Sequence, residues 1–431
     1  MIQKLLGFDK KGMTVRTEII AGITTFLTMS YILAVNPSIL GMTGMDKAAV
    51  FTATALASAI ATLLLAFMAK LPFAQAPSMA LNAFFAFTLV EGMGYSWQAA
   101  LMAMFVEGII FILITFINVR EIILNSIPMN LRYAISAGIG MFIAFIGLKN
   151  AGIIEAHPST LVKLGSFTAT SVLALIGILI SGVLTVKKIK GALFYGILIC
   201  TVIGIPLGVT QIPDNFLPVS MPHSIAPTFW QFDFSELFTL DMAIVIFTLL
   251  FMNIFDTAGT LVGLAAKSGI MKKNGEIPRV KEAMMSDAIG TTIGAVLGSS
   301  TITTYVESAS GIAEGGRSGM TALVTGILFL IALFFAPIFL LIPGAATTGA
   351  LVIVGVFMMD SIQKIKMDDI SEALPAFITM IMMVLTYSIA DGMIMGLLSF
   401  VLVKLLSGKH KDISIAMYIL AALFILNYIF I

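Results

Sequence analysis

The stretch SSTITTYVESASGIAEGGRSG, residues Ser299–Gly319, decides how this chain folds. It lies between two long apolar segments, yet it consists of hydroxyl residues, glycines, a tyrosine and two carboxylates. The β-branched TITTYV run disfavours helix, and ESASGIAEGG is long enough only for a short one. We therefore predict an extended segment followed by a half-helix at membrane depth. An ionisable residue there, Glu307, marks a substrate or ion site because it is costly to keep in a membrane.

A second stretch, Leu71–Gly92 or LPFAQAPSMALNAFFAFTLVEG, has the same organisation. Pro72 and Pro77 interrupt its first half, and a helical run that carries Asn82 follows. Two interrupted spans in corresponding places of two halves indicate a transporter binding site between them.

The composition excludes several classes of protein. With 59% hydrophobic and 11% charged residues and a mean hydropathy of +1.06, the chain is a polytopic membrane protein. A net charge of +1 without a basic face argues against a nucleic-acid partner. A single cysteine and three scattered histidines offer no metal site, and no cofactor is expected. The N-terminus does not resemble a cleaved signal peptide.

Apolar runs of about 20 residues predict fourteen membrane spans, the first of them Glu18–Leu40. Seven spans per half make the second half an inverted repeat of the first. The predicted units are a first repeat at 17–209, an external loop at 210–239, a second repeat at 240–406, and an extra hydrophobic helix at 413–431. That helix is either a fifteenth span or lies along the interface.

The distribution of positive charge predicts the orientation. With a cytoplasmic N-terminus, all but three of the 24 Lys and Arg residues lie on the cytoplasmic side, the exceptions being Lys47, Lys149 and Lys163. We expect a multi-pass protein of the cell (inner) membrane, in contact with membrane lipid.

Three polar positions within spans are candidates for chemistry: Glu307, Asp256 and Asn82. Two carboxylates and an amide that face one cavity suit a neutral, planar solute rich in hydrogen-bonding groups. Either carboxyl can exchange a proton, so H⁺ is the expected coupling ion. The alternatives are structural: Glu307 as a carboxylate satisfied at a helix start, and Asn82 as a brace for backbone.

Four motifs carry a family resemblance: FLTMSYILAVNPSIL, APSMALNAFFAF, FDTAGTLVG and TTYVESASGIAEGGRSG. Together they resemble the adenine/guanine/hypoxanthine permeases (AzgA-like), a branch of the nucleobase transporters with the uracil-permease fold. The resemblance implies a core domain (17–117 and 240–341) and a gate domain (120–209 and 345–406), with short antiparallel strands in the third and tenth spans. It also implies purine:H⁺ symport by elevator-like motion in a homodimer.

The resemblance also implies a substrate site. Asp256 and Glu307 occupy its two carboxylate positions and would also couple the proton, while Met79 and Val306 lie where backbone groups meet the base. The complete predicted site is Ser78, Met79, Ala80, Asn82, Asp256, Thr260, Val306, Glu307 and Ser308. Thr260 stands where the uracil and xanthine branches carry His, which favours purines and leaves open whether adenine or guanine and hypoxanthine are preferred.

Three other functions remain as alternatives. An anion transporter of the same fold needs positive potential at its site, and two carboxylates supply the opposite. An intramembrane aspartyl protease needs a second catalytic Asp in a GxGD context, which the chain lacks, so we expect no enzyme. A channel is disfavoured by broken spans that enclose a binding site.

Overall fold

The computed structural model describes residues 6–8, 13–116, 128–213, 216–270 and 277–415, with 417, 418, 421, 422 and 425 near the C-terminus. The chain is mainly helical. The helices are α1 Val15–Met29, α2 Ile32–Leu40, α3 Lys47–Met68, α4 Met79–Ala83 with a π-helical continuation Phe84–Gly92, α5 Trp97–Phe116, α6 Met129–Asn150, α7 Ala169–Val186, α8 Ala192–Gly204, α9 Leu240–Ser268, α10 Val280–Leu297, α11 Ser308–Ala313, α12 Gly319–Ala332, α13 Ala336–Leu340, α14 Gly344–Met359, α15 Ile370–Leu385 and α16 Ile389–Leu406. The strands are β1 Gln75–Pro77, β2 Ile154–His157, β3 Leu161–Leu164 and β4 Ile302–Thr304.

The helices make this a multi-pass membrane protein. Within the described residues, seven helical stretches are long and apolar enough to cross a bilayer: Val15–Thr43, Lys47–Met68, Trp97–Phe116, Met129–Asn150, Ala169–Val186, Gly319–Leu340 and Gly344–Lys364. Shorter apolar helices add Met79–Gly92, Ala192–Gly204, Leu240–Ile254 and Ile370–Leu385. The total of fourteen spans and the inverted repeat stay predictions.

The first span is not the continuous helix predicted over 18–40. Helix α1 ends at Met29 and α2 begins at Ile32. At the junction the backbone forms a tighter turn, in which the Leu33 N–H donates to Ser30 O at 3.1 Å. Tyr31 lies at this break and is almost fully buried.

The helices pack in two groups. In one, α12 contacts α1 and α3, and α10 contacts α3 and α5. In the other, α14 contacts α6, α7 and α8, and α15 contacts α6 and α16. The assignment of these groups to a moving core and a gate stays a prediction.

A small hairpin corrects the all-helical prediction in the loop between α6 and α7. Strand β2 pairs antiparallel with β3, and Glu155 lies opposite Lys163. The two side chains form an exposed ion pair with a 3.7 Å separation. The turn between the strands is held by His157, whose Nδ1 accepts from the N–H groups of Ser159 and Thr160.

The extra helix predicted at 413–431 lies largely outside the described residues. Of the part that is described, Met417 and Ala421 are buried against Phe400 and Val401 of α16. The C-terminal segment therefore begins by packing on the end of α16.

Close approach between α6 and α14 depends on a pair of glycines, Gly140 and Gly355. A Cβ added at Gly355 would lie 2.5 Å from Gly140 O, and one added at Gly140 would lie 2.6 Å from Gly355 O. Small residues allow this backbone contact, which is a common basis for helix association in membranes.

We expect Gly355→Ala to lower the free energy of unfolding in detergent micelles by about 1–3 kcal/mol, because the two backbones must move apart. The matched control is Gly182→Ala in α7, where the nearest atom to an added Cβ is Ile353 Cδ1 at 3.9 Å. That variant should match or slightly exceed the parent, since Ala favours helix over Gly. Equal effects from both variants would contradict the close contact.

Candidate functional site at the strand crossing

Strands β1 and β4 join the two interrupted segments into one antiparallel crossing. Gln75 lies opposite Thr304, Ala76 opposite Thr303, and Pro77 opposite Ile302. Backbone hydrogen bonds extend the pairing at both ends, from Ser78 N to Thr301 O and from Tyr305 N to Ala74 O, each 2.9 Å long. The predicted antiparallel strands are confirmed, with one correction. Ser78 lies just beyond β1, as the N-cap of α4, because the helix begins directly after Pro77.

At the outer edge of each strand, a threonine hydroxyl forms hydrogen bonds with the backbone. The Thr62 hydroxyl of α3 accepts from Gln75 N and donates to Gln75 O, both at 3.0 Å. The Thr291 hydroxyl of α10 accepts from Ile302 N at 3.2 Å and donates to Ile302 O at 3.1 Å. Each threonine therefore replaces the neighbouring strand that a two-stranded sheet lacks.

Each strand leads into a short helix whose first N–H groups point toward the crossing. Helix α4 begins after Ser78, and α11 begins after Glu307, which is its N-cap residue. The partial positive charge of a helix start favours an anion or an acceptor atom there. Two such starts lie at this crossing, an arrangement that suits either kind of group.

Asp256 reaches the crossing from the long helix α9. Its Oδ2 accepts a hydrogen bond from Ser78 Oγ at 2.8 Å, and its side chain is half-buried. Thr260 follows one turn later on the same helix and is also partly exposed. Both residues therefore reach the accessible surface of the site.

Glu307 is held by a residue that the sequence did not reveal. The Tyr31 hydroxyl, at the break in the first span, donates to Glu307 Oε1 at 2.8 Å. Glu307 is partly accessible. Beside it, the Val306 side chain is 56% exposed, an apolar surface next to two carboxylates.

The other predicted site residues are buried and support the crossing. Ser78, Met79, Ala80, Asn82 and Ser308 are all shielded from solvent. Ser308 Oγ accepts from Ala74 N at 3.0 Å, and Ser300 Oγ donates to Asn82 Oδ1. Asn82 therefore joins the two interrupted spans to each other, and its role toward a substrate stays a prediction.

Two further carboxylates lie behind the strands, and the sequence interpretation missed both. Asp287 of α10 accepts from Thr257 at 2.5 Å, from Thr304 at 3.0 Å and from Gln75 Nε2. Glu107 of α5 accepts from Asn253 Nδ2 at 2.9 Å. Both residues could have been singled out from the sequence, because an ionisable residue within a membrane span indicates a functional site.

The described part of the chain contains no group of three or more His, Cys, Asp or Glu that could hold a metal ion.

The fold resembles that of solved transporters. The transmembrane domain of a cyanobacterial bicarbonate transporter, BicA, matches with a TM-score of 0.66 at 16% identity, over 88% of this chain and 97% of that one. The murine Solute Carrier 26 family member A9 anion transporter, in an inward-facing state, matches with a TM-score of 0.62 at 12% identity, over 93% and 72%. These similarities concern the fold alone.

Fold and site together define a polytopic membrane transport protein, not an enzyme. The chain belongs to the Xan_ur_permease family, described as a permease family, which matches residues 16–395. Relatives include the guanine/hypoxanthine permease PbuG of Bacillus subtilis, 47% identical over 98% of both chains. The adenine permease AdeP of Escherichia coli is 42% identical over all of this chain and 96% of that protein. The predicted resemblance to the purine permease branch is confirmed.

The Tyr31–Glu307 hydrogen bond can be tested without any substrate. In a double-mutant cycle of Tyr31→Phe and Glu307→Ala, we expect a coupling of about 1–2 kcal/mol in the free energy of unfolding, because the bond is charge-assisted and only partly exposed. Tyr133→Phe, combined with the same Glu307 variant, serves as the control and should be additive. Additive behaviour of the Tyr31 pair as well would refute the contact.

Proposed function

We propose that this protein imports purine nucleobases by proton symport. One observation carries the proposal: a pair of carboxylates, Asp256 and Glu307, at the crossing of two interrupted spans in a transporter closely related to purine permeases. Guanine and hypoxanthine are the expected substrates, with adenine as the open alternative. The site residues Met79, Val306 and Thr260 stay predictions in their contacts with the base.

The chemistry of a purine fits the groups at the crossing. An ionised Glu307 accepts hydrogen bonds from ring N–H groups, and the first N–H groups of α4 and α11 can donate to ring nitrogens or a carbonyl oxygen. The exposed Val306 side chain offers an apolar surface to a planar ring. Asp256, which is partly accessible and accepts from the Ser78 hydroxyl, is the proposed proton carrier.

For the transport cycle we propose an elevator motion of the core against the gate. The proposal rests on two inverted repeats of seven spans, and the matching roles of Thr62 and Thr291 at the two strand edges support it. A cytoplasmic N-terminus, insertion in the cell (inner) membrane and assembly as a homodimer complete the proposal.

Anion transport is the second candidate, since the fold is shared with a bicarbonate transporter and an anion transporter. An anion must be held by positive potential, which the helix starts supply. Asp256 and Glu307 oppose it at the same place. We therefore rank anion transport below transport of a neutral base.

Uptake by cells or proteoliposomes tests the coupling. We expect accumulation of labelled hypoxanthine or guanine that collapses with a protonophore and persists without Na⁺. Unlabelled bases in competition should rank the purines above uracil, and bicarbonate should not compete. Uptake that follows a Na⁺ gradient and persists after collapse of the proton gradient would contradict proton symport.

The two carboxylates should respond differently to amide substitution. Glu307→Gln replaces an acceptor oxygen by an amide nitrogen, which donates and would face the ring N–H donors of the purine. We therefore expect the affinity for purine to fall roughly 30- to 1000-fold, equivalent to about 2–4 kcal/mol. Asp256→Asn should retain binding and lose accumulation against a gradient, because the amide cannot carry a proton. Equilibrium binding and concentrative uptake measure the two effects separately.

Glu155→Gln, in the exposed β2–β3 hairpin, is the control for these variants and should behave as the parent does. If Glu307→Gln binds like the parent while Asp256→Asn alone loses binding, the two roles are reversed.

A further inference from the structure

Two glutamates of this protein, Glu18 and Glu107, have no exposed surface at all, yet their surroundings are opposite. Glu18 accepts from three backbone N–H groups at the start of α12, those of Arg317, Ser318 and Thr321, at 3.0–3.3 Å. The Thr321 hydroxyl adds a fourth donor at 2.5 Å. Four donors at a helix start are the surroundings of an ionised carboxylate.

Glu107 has far fewer donors. It lies in the middle of α5, and Asn253 Nδ2 donates to its Oε1. Its Oε2 has no hydrogen-bond partner among the described residues. The Thr301 hydroxyl approaches the carboxyl and is likewise without a completed hydrogen bond. An ionised carboxylate fully enclosed with one donor is strongly unfavourable.

The other groups near Glu107 do not supply a counter-charge. Lys281 of α10 is bonded to the far end of α5, at Phe116 O, and Asp256 of α9 accepts from Ser78. Asp287 of α10 is separated from Glu107 by Asn253 and Thr257 of α9. Asp287 has three donors of its own, from Thr257, Thr304 and Gln75. Among the described residues, Glu107 takes part in no ion pair.

We propose that Glu107 is a positioning residue that acts as a neutral acid, with its proton on Oε2 and donated to Thr301 Oγ1. Thr301 is the residue before β4, and its carbonyl accepts from Ser78 N. Ser78 in turn holds Asp256 through its hydroxyl. The acid of Glu107 thereby fixes the backbone from which Asp256 is oriented.

Glutamine distinguishes the two glutamates. In Glu107→Gln the amide oxygen still accepts from Asn253 and the amide nitrogen donates to Thr301, so the substitution reproduces a neutral acid. We expect its unfolding temperature to equal that of the parent and its purine uptake to stay within about threefold. Glu18→Gln, the matched control, places an amide donor against at least one backbone N–H donor, because both carboxylate oxygens of Glu18 accept, and it should lower the unfolding temperature clearly. Glu107→Ala, which leaves Asn253 and Thr301 unpaired, should do the same.

Infrared spectroscopy reports the proton directly. The purified parent should show a carboxylic-acid carbonyl band that Glu107→Gln lacks and Glu18→Gln retains. The infrared and unfolding measurements do not depend on the proposed function, and only the uptake measurement rests on it. If the parent does not transport purines at all, the proposed function is wrong. The infrared and unfolding measurements still test the inference about Glu107.

Three results would overturn the inference. One is a Glu107→Gln protein as unstable as Glu18→Gln, and another is an acid band unchanged by Glu107→Gln. The third is a stable Glu107→Gln protein that binds purine without accumulating it, because Glu107 would then carry the transported proton instead of positioning Asp256.

Discussion

The antiparallel pairing of β1 with β4 is the interaction on which the rest of this structure depends. An extended backbone inside a bilayer leaves N–H and C=O groups that neither lipid nor water can satisfy. Here the two extended segments satisfy each other, and Thr62 and Thr291 satisfy the outer edges. Only because these groups are paired can two helices start in the protein interior, and those helix starts create the site.

The crossing has two chemically distinct sides. On one side Asp256 and Glu307 are partly accessible, and they accept from the hydroxyls of Ser78 and Tyr31 respectively. A carboxylate with so few partners keeps capacity for a ligand or a proton. On the other side Asp287 is enclosed and fully bonded to neighbouring side chains. The difference in donors separates groups available for transport from groups that hold the strands in place.

Tyr31 links the site to a third element. Its hydroxyl reaches Glu307 from the break between α1 and α2, and the pairing joins residues 276 positions apart in sequence. Asn36, one turn further along α2, donates to Thr54 and Ser299, so the same helix also braces the approach to β4. The first span therefore contributes to the site at two places, Tyr31 and Asn36, although its sequence has the pattern of an ordinary apolar helix.

The sequence by itself determined the membrane class, the two interrupted segments, and Asp256 and Glu307 as ionisable residues at membrane depth. Those features follow from local rules: apolar run length, helix propensity, and the cost of a charge at membrane depth. The tertiary structure decided which groups meet. Nothing in the local sequence places Tyr31 beside Glu307, pairs Ser300 with Asn82, or gives Glu18 four donors and Glu107 one. Hydrogen-bond partners of buried groups come from segments distant in the chain, so their number, and with it the protonation each carboxyl favours, is fixed only when the helices pack.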